Sequence, residues 1–236
     1  RQIDKHRWNV LVCHRRFGKT VCMINHLIRS ALLSKLSNPR FAYIAPTFKQ
    51  AKSIAWDYMK QFTAKIPHTK FNETELRVDL PNGSRITLLG SESPDGLRGI
   101  YLDGCVIDEY ANVNSKLFPE IIRPALSDRK GYCVFIGTPM GMNNNFYELY
   151  QHAQGAEDWF NYKAKASDTK IVDDDELVKA KEVMGEKKYN QEFECDWIAN
   201  IEGAVYGDVI AKLDDDKQLT RVPYDPALPV STAWDL

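Results

Sequence analysis

Eight consecutive residues constrain this chain more than any others: Cys13-His14-Arg15-Arg16-Phe17-Gly18-Lys19-Thr20. A short apolar run, Val10-Leu11-Val12, enters them. A helical pattern leaves them, with Val21, Ile24, Leu27, Ile28 and Leu32 recurring every three or four residues. The stretch reads as strand, tight loop and helix. A helix N-terminus presents unpaired N–H groups and a partial positive charge, so it holds phosphate oxygens. In a loop ending Gly18-Lys19-Thr20, Lys19 can reach the β- and γ-phosphates and the Thr20 hydroxyl can ligate Mg²⁺. One letter departs from the pattern G-x-x-x-x-G-K-[ST]: Cys13 stands where the first glycine is expected. Cysteine fits there only if the position tolerates a Cβ. The competing reading is a basic surface loop that happens to contain Gly-Lys-Thr. The flanking strand and helix, and the acids described next, weigh against it.

The second anchor is Cys105-Val106-Ile107-Asp108-Glu109, an apolar strand delivering two carboxylates at its end. Asp108 suits Mg²⁺, directly or through water, and Glu109 suits a general base that polarises an attacking water. Adjacent acids after an apolar strand are common by chance. They are much less so some ninety residues after a phosphate-loop lysine.

Composition sets the frame. A chain of 236 residues suits one large domain, or one domain with an appendage. It buries roughly 70–75% of its unfolded surface and needs no staples. The five cysteines (Cys13, Cys22, Cys105, Cys133, Cys195) form no C-x-x-C pair and no Cys/His cluster, so a reducing cytosol is the expected compartment. No signal peptide is recognised, and no apolar stretch reaches the roughly 18–20 residues of a membrane span. Net charge is −1, but residues 1–56 carry eleven Lys/Arg against the single acid Asp4, while residues 157–216 carry seventeen Asp/Glu against eight Lys. A phosphate-facing half and a solvated acidic half are expected.

In chain order, Gln2 precedes the first strand and reads either as a surface residue or as an amide that recognises an adenine edge. Phe41–Ala45 is a buried parallel strand ended by Pro46-Thr47, with a helix from about 49 to 63. Pro46, Thr47 and Gln50 are either site neighbours or structural. Residues 75–89 form a hairpin about Pro81-Asn82-Gly83-Ser84, expected to decorate the sheet edge. Gly96-Leu97-Arg98-Gly99 sets an arginine in a flexible loop, where its planar fork can serve as an arginine finger or pair with a surface acid. A helix over 115–126 precedes a buried strand, Tyr132–Ile136, which ends in Gly137-Thr138-Pro139. Thr138 can sense a γ-phosphate there, against the plainer reading of a strand-to-loop turn. A helix over 145–154 and a strand over 159–166 follow. Asp173-Asp174-Asp175-Glu176 is read as a helix start and not as a metal site, and a short helix spans 188–195. Residues 201–229 read as a linker. Residues 230–236 read as a new strand ending in an acid, Asp235.

The set Arg15–Thr20, Tyr43-Ile44-Ala45-Pro46-Thr47, Gly96–Gly99, Val106–Glu109, Gly137–Pro139 and Tyr189–Trp197 resembles the large terminase subunit of tailed bacteriophages over essentially the whole chain. The resemblance implies an α/β fold over residues 1–200: a RecA-like P-loop NTPase of the ASCE type, with a mainly parallel sheet flanked by helices. It implies ATP hydrolysis with Mg²⁺, driving double-stranded DNA through a portal protein into the procapsid. It further implies a homo-oligomeric ring, commonly a pentamer, a small terminase subunit as partner, no membrane, and residence in the bacterial host cytoplasm. By match, Cys13, Arg15, Arg16, Gly18, Lys19 and Thr20 form the nucleotide loop, and Thr20 and Asp108 hold the metal. Glu109 orients the water and Thr138 belongs to the coupling motif. Arg15 faces the γ-phosphate of its own site, Arg98 serves its own site or a neighbour's, and Gln2 matches an adenine-reading Gln.

The family also carries an RNase H-like nuclease domain, whose first metal-binding acid Asp235 resembles. Its later acids are absent from these residues, so the polypeptide is expected not to cleave DNA. Two other readings stay open: a helicase-like P-loop ATPase on nucleic acid, and a non-hydrolysing nucleotide-binding assembly module. The second has no use for Glu109.

Overall fold

A computed structural model describes residues 2–198 together with Leu213 and Gln218. The chain separates into two units, Arg1–Ala199 and Asn200–Leu236. Apart from Leu213 and Gln218, the expected linker 201–229 lies outside the described residues, as do the strand 230–236 and Asp235.

β1 (Trp8–Cys13) is buried at all six positions. A strand that is apolar on both faces needs cover on both, and the fold supplies it. β2 (Arg40–Ala45), β5 (Arg85–Gly90), β6 (Gly104–Ile107), β7 (Tyr132–Gly137) and β8 (Trp159–Ala164) join β1 in a parallel array. With β3 (Lys70–Asn72) and β4 (Arg77–Asp79) the order is β3-β4-β5-β2-β6-β7-β1-β8. Along β1, Leu11 and Cys13 enter one core, together with Met23, Ile24 and Leu27 of α1 (Lys19–Leu33) and Trp56 and Met59 of the 48–63 helical run. Trp8, Val10 and Val12 enter the other, with Leu117, Phe118, Ile121 and Phe146. This alternation is the pleat of a strand between two helical layers.

The hairpin at 75–89 is more than decoration. β4 and β5 are antiparallel, as the alternation requires, but β5 also runs parallel to β2 from Arg40↔Arg85 to Ala45↔Gly90. Ile86 and Leu88 are fully buried, so this strand belongs to the main sheet. β4 and β3 form the edge, and β3 has no sequence signature beyond three residues. The turn closes with Gly83 at φ 83°, and its polar residues reach back to α1: Ser84 Oγ donates to Ala31 O at 2.6 Å and Asn82 Nδ2 to the same oxygen at 2.9 Å. An α-helix leaves its last carbonyls without partners, and here a distant turn supplies them.

The expected helix after β2 forms, with a π turn at Lys52–Trp56 inside it. The acids 173–176 cap and open a helix, Asp174–Met184, with the Asp173 carboxylate accepting from Asp175 N–H at 2.9 Å. That helix and the next, Glu186–Phe193, share a small core of Ala166, Leu177 and Phe193. Among the described residues no helix is long and apolar enough to cross a membrane.

Phe135 is wholly buried, with ring centroids 4.7 Å from Phe118 and 4.8 Å from Tyr110 in T-shaped contacts. Phe135→Ala is predicted to lower unfolding free energy by about 3–5 kcal/mol, measured by guanidinium unfolding. Val183→Ala, at 89% exposure, is the control, with a change within about 0.5 kcal/mol.

Candidate nucleotide site

The site lies at the carboxyl edge of the parallel strands, where α/β sheets place ligands. β7 stands between β1 and β6, so the phosphate loop after β1, the acids after β6 and Thr138 after β7 share one edge. The loop turns through Arg16 at φ 67° and Gly18 at φ 85°, and Gly18 caps α1. A Cβ on Gly18 would meet nothing within 4 Å, so glycine supplies conformation there, not space. Cys13 needs no such licence: it ends β1 with its side chain in the core. Burial pushes its thiol up to about 12, which disfavours the reactive thiolate.

Lys19 Nζ donates to Thr138 Oγ1 at 3.3 Å and lies 3.7 Å from Glu109 Oε1. Thr138 in turn donates to Cys13 O at 3.4 Å. Thr20 Oγ1 donates to Asp108 Oδ2 at 3.2 Å, and Glu109 N–H donates to Asp108 Oδ1 at 2.8 Å. Glu109 occupies the left-handed region at φ 47°, a conformation costing a non-glycine residue about 1–3 kcal/mol. The turn swings its carboxylate towards Lys19 and away from the strand line. Burial holds the Glu109 carboxyl above its ordinary range, opposed by Lys19 and reinforced by Asp108 and Glu192.

A cleft of about 400 Å³ opens here, lined among others by Arg15, Lys19, Glu109, Thr138, Lys188 and Glu192. Its far wall is the 186–193 helix, which straps the loop. Arg15 N–H donates to Glu192 O at 2.8 Å, and Arg15 Nη1 lies 3.8 Å from Glu192 Oε2. Gln191 Nε2 donates to Pro139 O at 2.8 Å. His14 is buried beneath. Its Nδ1 donates to Arg15 O at 2.6 Å and its Nε2 meets Thr169 Oγ1 at 2.8 Å; burial lowers its pKa.

The structure therefore brings together Cys13, Arg15, Gly18, Lys19, Thr20, Asp108, Glu109 and Thr138, with Arg16 exposed beside Arg15. It does not bring in Arg98, which pairs with Asp95 at 2.8 Å and lies 3.7 Å from Glu120. Gln2 is exposed, and its backbone oxygen accepts from Lys5 N–H at 3.0 Å; neither residue lines the cleft. Thr47 and Gln50 form a capping box on the helix after β2. Lys188, Gln191 and Glu192 escaped the sequence reading as site residues, because nothing local ties residue 192 to residue 15. Tyr43 escaped it too. Its buried hydroxyl donates to Asp108 Oδ2, whereas the sequence showed it only as a phenol in an apolar strand and a member of the Tyr43–Thr47 motif.

The Thr20 and Asp108 oxygens form a hard, oxygen-only pair, which suits Mg²⁺: that ion keeps several waters and takes one or two protein ligands beside substrate phosphates. Among the described residues there is no group of three His, Cys, Asp or Glu that could hold a metal.

Sheet order and phosphate loop define a RecA-like P-loop NTPase fold. Residues 12–208 match the family described as terminase large subunit, T4likevirus-type, N-terminal, and the chain belongs to that family. It is 30% identical over 126 residues to the terminase large subunits of Thermus phage G20c and Thermus virus P23-45, a match covering 45% of this chain and 26% of each relative. The aligned stretch thus spans about a quarter of the curated relatives. The ATPase domain of the Thermus phage P74-26 large terminase superposes with a TM-score of 0.69 at 22% identity, over 81% of this chain and 89% of that one. The large terminase of another thermophilic bacteriophage, in complex with ADP, gives 0.71 at 15% identity, over 83% and 49%.

A carboxyl held above its ordinary pKa binds its proton more tightly in the folded state than in the unfolded one. The stability this proton brings is complete below the unfolded value of about 4.3 and is lost as pH rises through the folded value. Glu109→Gln is therefore predicted to become more stable relative to wild type as pH rises from about 4 to about 8. Urea unfolding along that series checks it; a gap that is flat or shrinks with pH would sink the assignment of burial as the dominant cause.

Proposed function

We propose that this chain is the ATP-hydrolysing motor domain of a viral terminase, which moves double-stranded DNA into the procapsid. The observation carrying this reading is the convergence of Lys19, Glu109 and Thr138 above the Thr20–Asp108 pair. Lys19 sets a fixed positive charge where the β- and γ-phosphates lie, and the first turn of α1 presents its N–H groups to them. Glu109 accepts a proton from the attacking water, a task its raised pKa suits. Arg15, on the cleft wall, would be the arginine that faces the γ-phosphate of its own site. Thr20 and Asp108 would hold Mg²⁺, which would supply positive charge against the phosphates. Thr138, bonded to both Lys19 and the Cys13 carbonyl, ties the phosphate end to the loop after β7. Since Arg98 faces Asp95 and Glu120 and not the cleft, its finger role belongs to a neighbouring subunit of a ring, with a pentamer as the stoichiometry tested. The portal protein and the small terminase subunit are the partners, and the host cytoplasm is the compartment.

Lys19→Ala is expected to abolish steady-state ATP hydrolysis, and Glu109→Gln to slow it about 10²–10⁴-fold with nucleotide still bound. Specific activity should climb with protein concentration, and adding Arg98→Ala protein to wild type should poison the mixture. A concentration-independent rate would return the arginine role to Arg15. Hydrolysis that persists without Lys19 would end the reading.

DNA contact on this reading is made to phosphates, because a packaging motor accepts any sequence. Binding of double-stranded DNA should weaken log-linearly with salt, at a slope of about −0.9 per phosphate contacted, and should be equal for unrelated sequences in a filter or anisotropy assay.

A further inference from the structure

Tyr43 carries the only hydroxyl in β2. Its ring is fully buried beneath α1, in the core that holds Met23, Ile24 and Val106. Tyr43 pairs with Val106 across the parallel ladder. Side chains alternate along a strand, so Tyr43, Val106 and Asp108 all project to the α1 face. There the Tyr43 hydroxyl donates to Asp108 Oδ2, the same oxygen that accepts from Thr20 at 3.2 Å. On the other side, Asp108 N–H donates to Ile44 O at 2.8 Å. Asp108 itself is 2% exposed, so water does little to orient it. Phenylalanine would fill the ring's space equally well. The hydroxyl has a task beyond packing.

We propose that Tyr43 is a positioning residue for the divalent cation. Its hydroxyl fixes the side-chain torsion of Asp108, aims the carboxylate at Thr20, and thereby sets the affinity of the nucleotide site for Mg²⁺. The proposal rests on the nucleotide reading above. The physical need is specific. The terminal torsion of an aspartate is soft and has no sharp staggered minimum. Glu109 N–H holds Oδ1, but Oδ2 has besides Tyr43 only the Thr20 hydroxyl, whose oxygen would itself be given to the metal. Tyr43 acts from β2, which takes no part in the phosphate loop, and so holds the carboxylate whatever Thr20 does. Partners that orient a metal ligand from behind typically carry about 10–100-fold in metal affinity.

The test titrates Mg²⁺ against wild type and Tyr43→Phe with a fluorescent ADP at fixed concentration. Bound Mn²⁺ is counted in parallel by electron paramagnetic resonance. Tyr43→Phe is expected to raise the Mg²⁺ half-point about 10-fold or more and to weaken Mn²⁺ retention equally, with metal-free ADP affinity unchanged. In an Asp108→Asn background the same substitution should move the half-point by less than about twofold, because the effect acts through the carboxylate. Equal half-points for wild type and Tyr43→Phe overturn the proposal. So does an undiminished effect in the Asp108→Asn background, or a lowered melting temperature with no change in half-point. Wild-type ADP binding that neither responds to Mg²⁺ nor needs Lys19 would instead fail the nucleotide reading, and this proposal with it.

Discussion

One strand sets the width of the cleft. Neighbouring strands lie about 4.8 Å apart, so placing β7 between β1 and β6 holds the phosphate loop and the two acids roughly 10 Å from one another. A side chain from each side can then meet over Thr138, once the chain has turned at Gly18 and at Glu109. Lys19 and Glu109 do so at 3.7 Å. With β6 beside β1 the carboxylate and ammonium would collapse into a tight pair with no room for a phosphate. With two strands between them they would not meet.

The rest of the fold divides into parts that hold this edge firmly and parts that hold it weakly. Behind it, two cores run the length of the sheet, and most of their residues are within a few per cent of full burial. In front, the 186–193 helix rests on a core of three buried residues, yet it bonds both the phosphate loop and the loop after Thr138. Segments with few buried apolar contacts open at low free-energy cost. The wall that faces the cleft thus rests on fewer buried apolar residues than the sheet at its back.

Much of this was legible in the sequence, for identifiable reasons. The buried parallel strands showed as short apolar runs, and α1 showed by its 3.6-residue period. The loop showed by Gly18-Lys19-Thr20, whose backbone demands are local. The hairpin turn was readable from Asn82-Gly83, but not its membership of the main sheet: β5 has the alternation of a half-exposed strand, since Thr87 and Leu89 are only partly covered. The strap of Glu192 on Arg15 and the bond of Tyr43 to Asp108 were illegible because they join residues 177 and 65 positions apart. Arg98 and Gln2 were read from local pattern, and the fold places neither in the cleft. Asp235 lies outside the described residues.

His14 has a consequence for how the loop meets its ligand. Its Nδ1 is spoken for by the Arg15 carbonyl and its Nε2 by the Thr169 hydroxyl, and burial disfavours a second proton. Burial thus favours the neutral imidazole beneath the loop. The positive side chains of the loop are Lys19, Arg15 and Arg16. A histidine here, the residue type most apt to respond to acidity, is bonded at both ring nitrogens. One imidazole thereby ties the phosphate loop to the Ala166–Thr169 helix, joining two segments 155 positions apart through a single side chain.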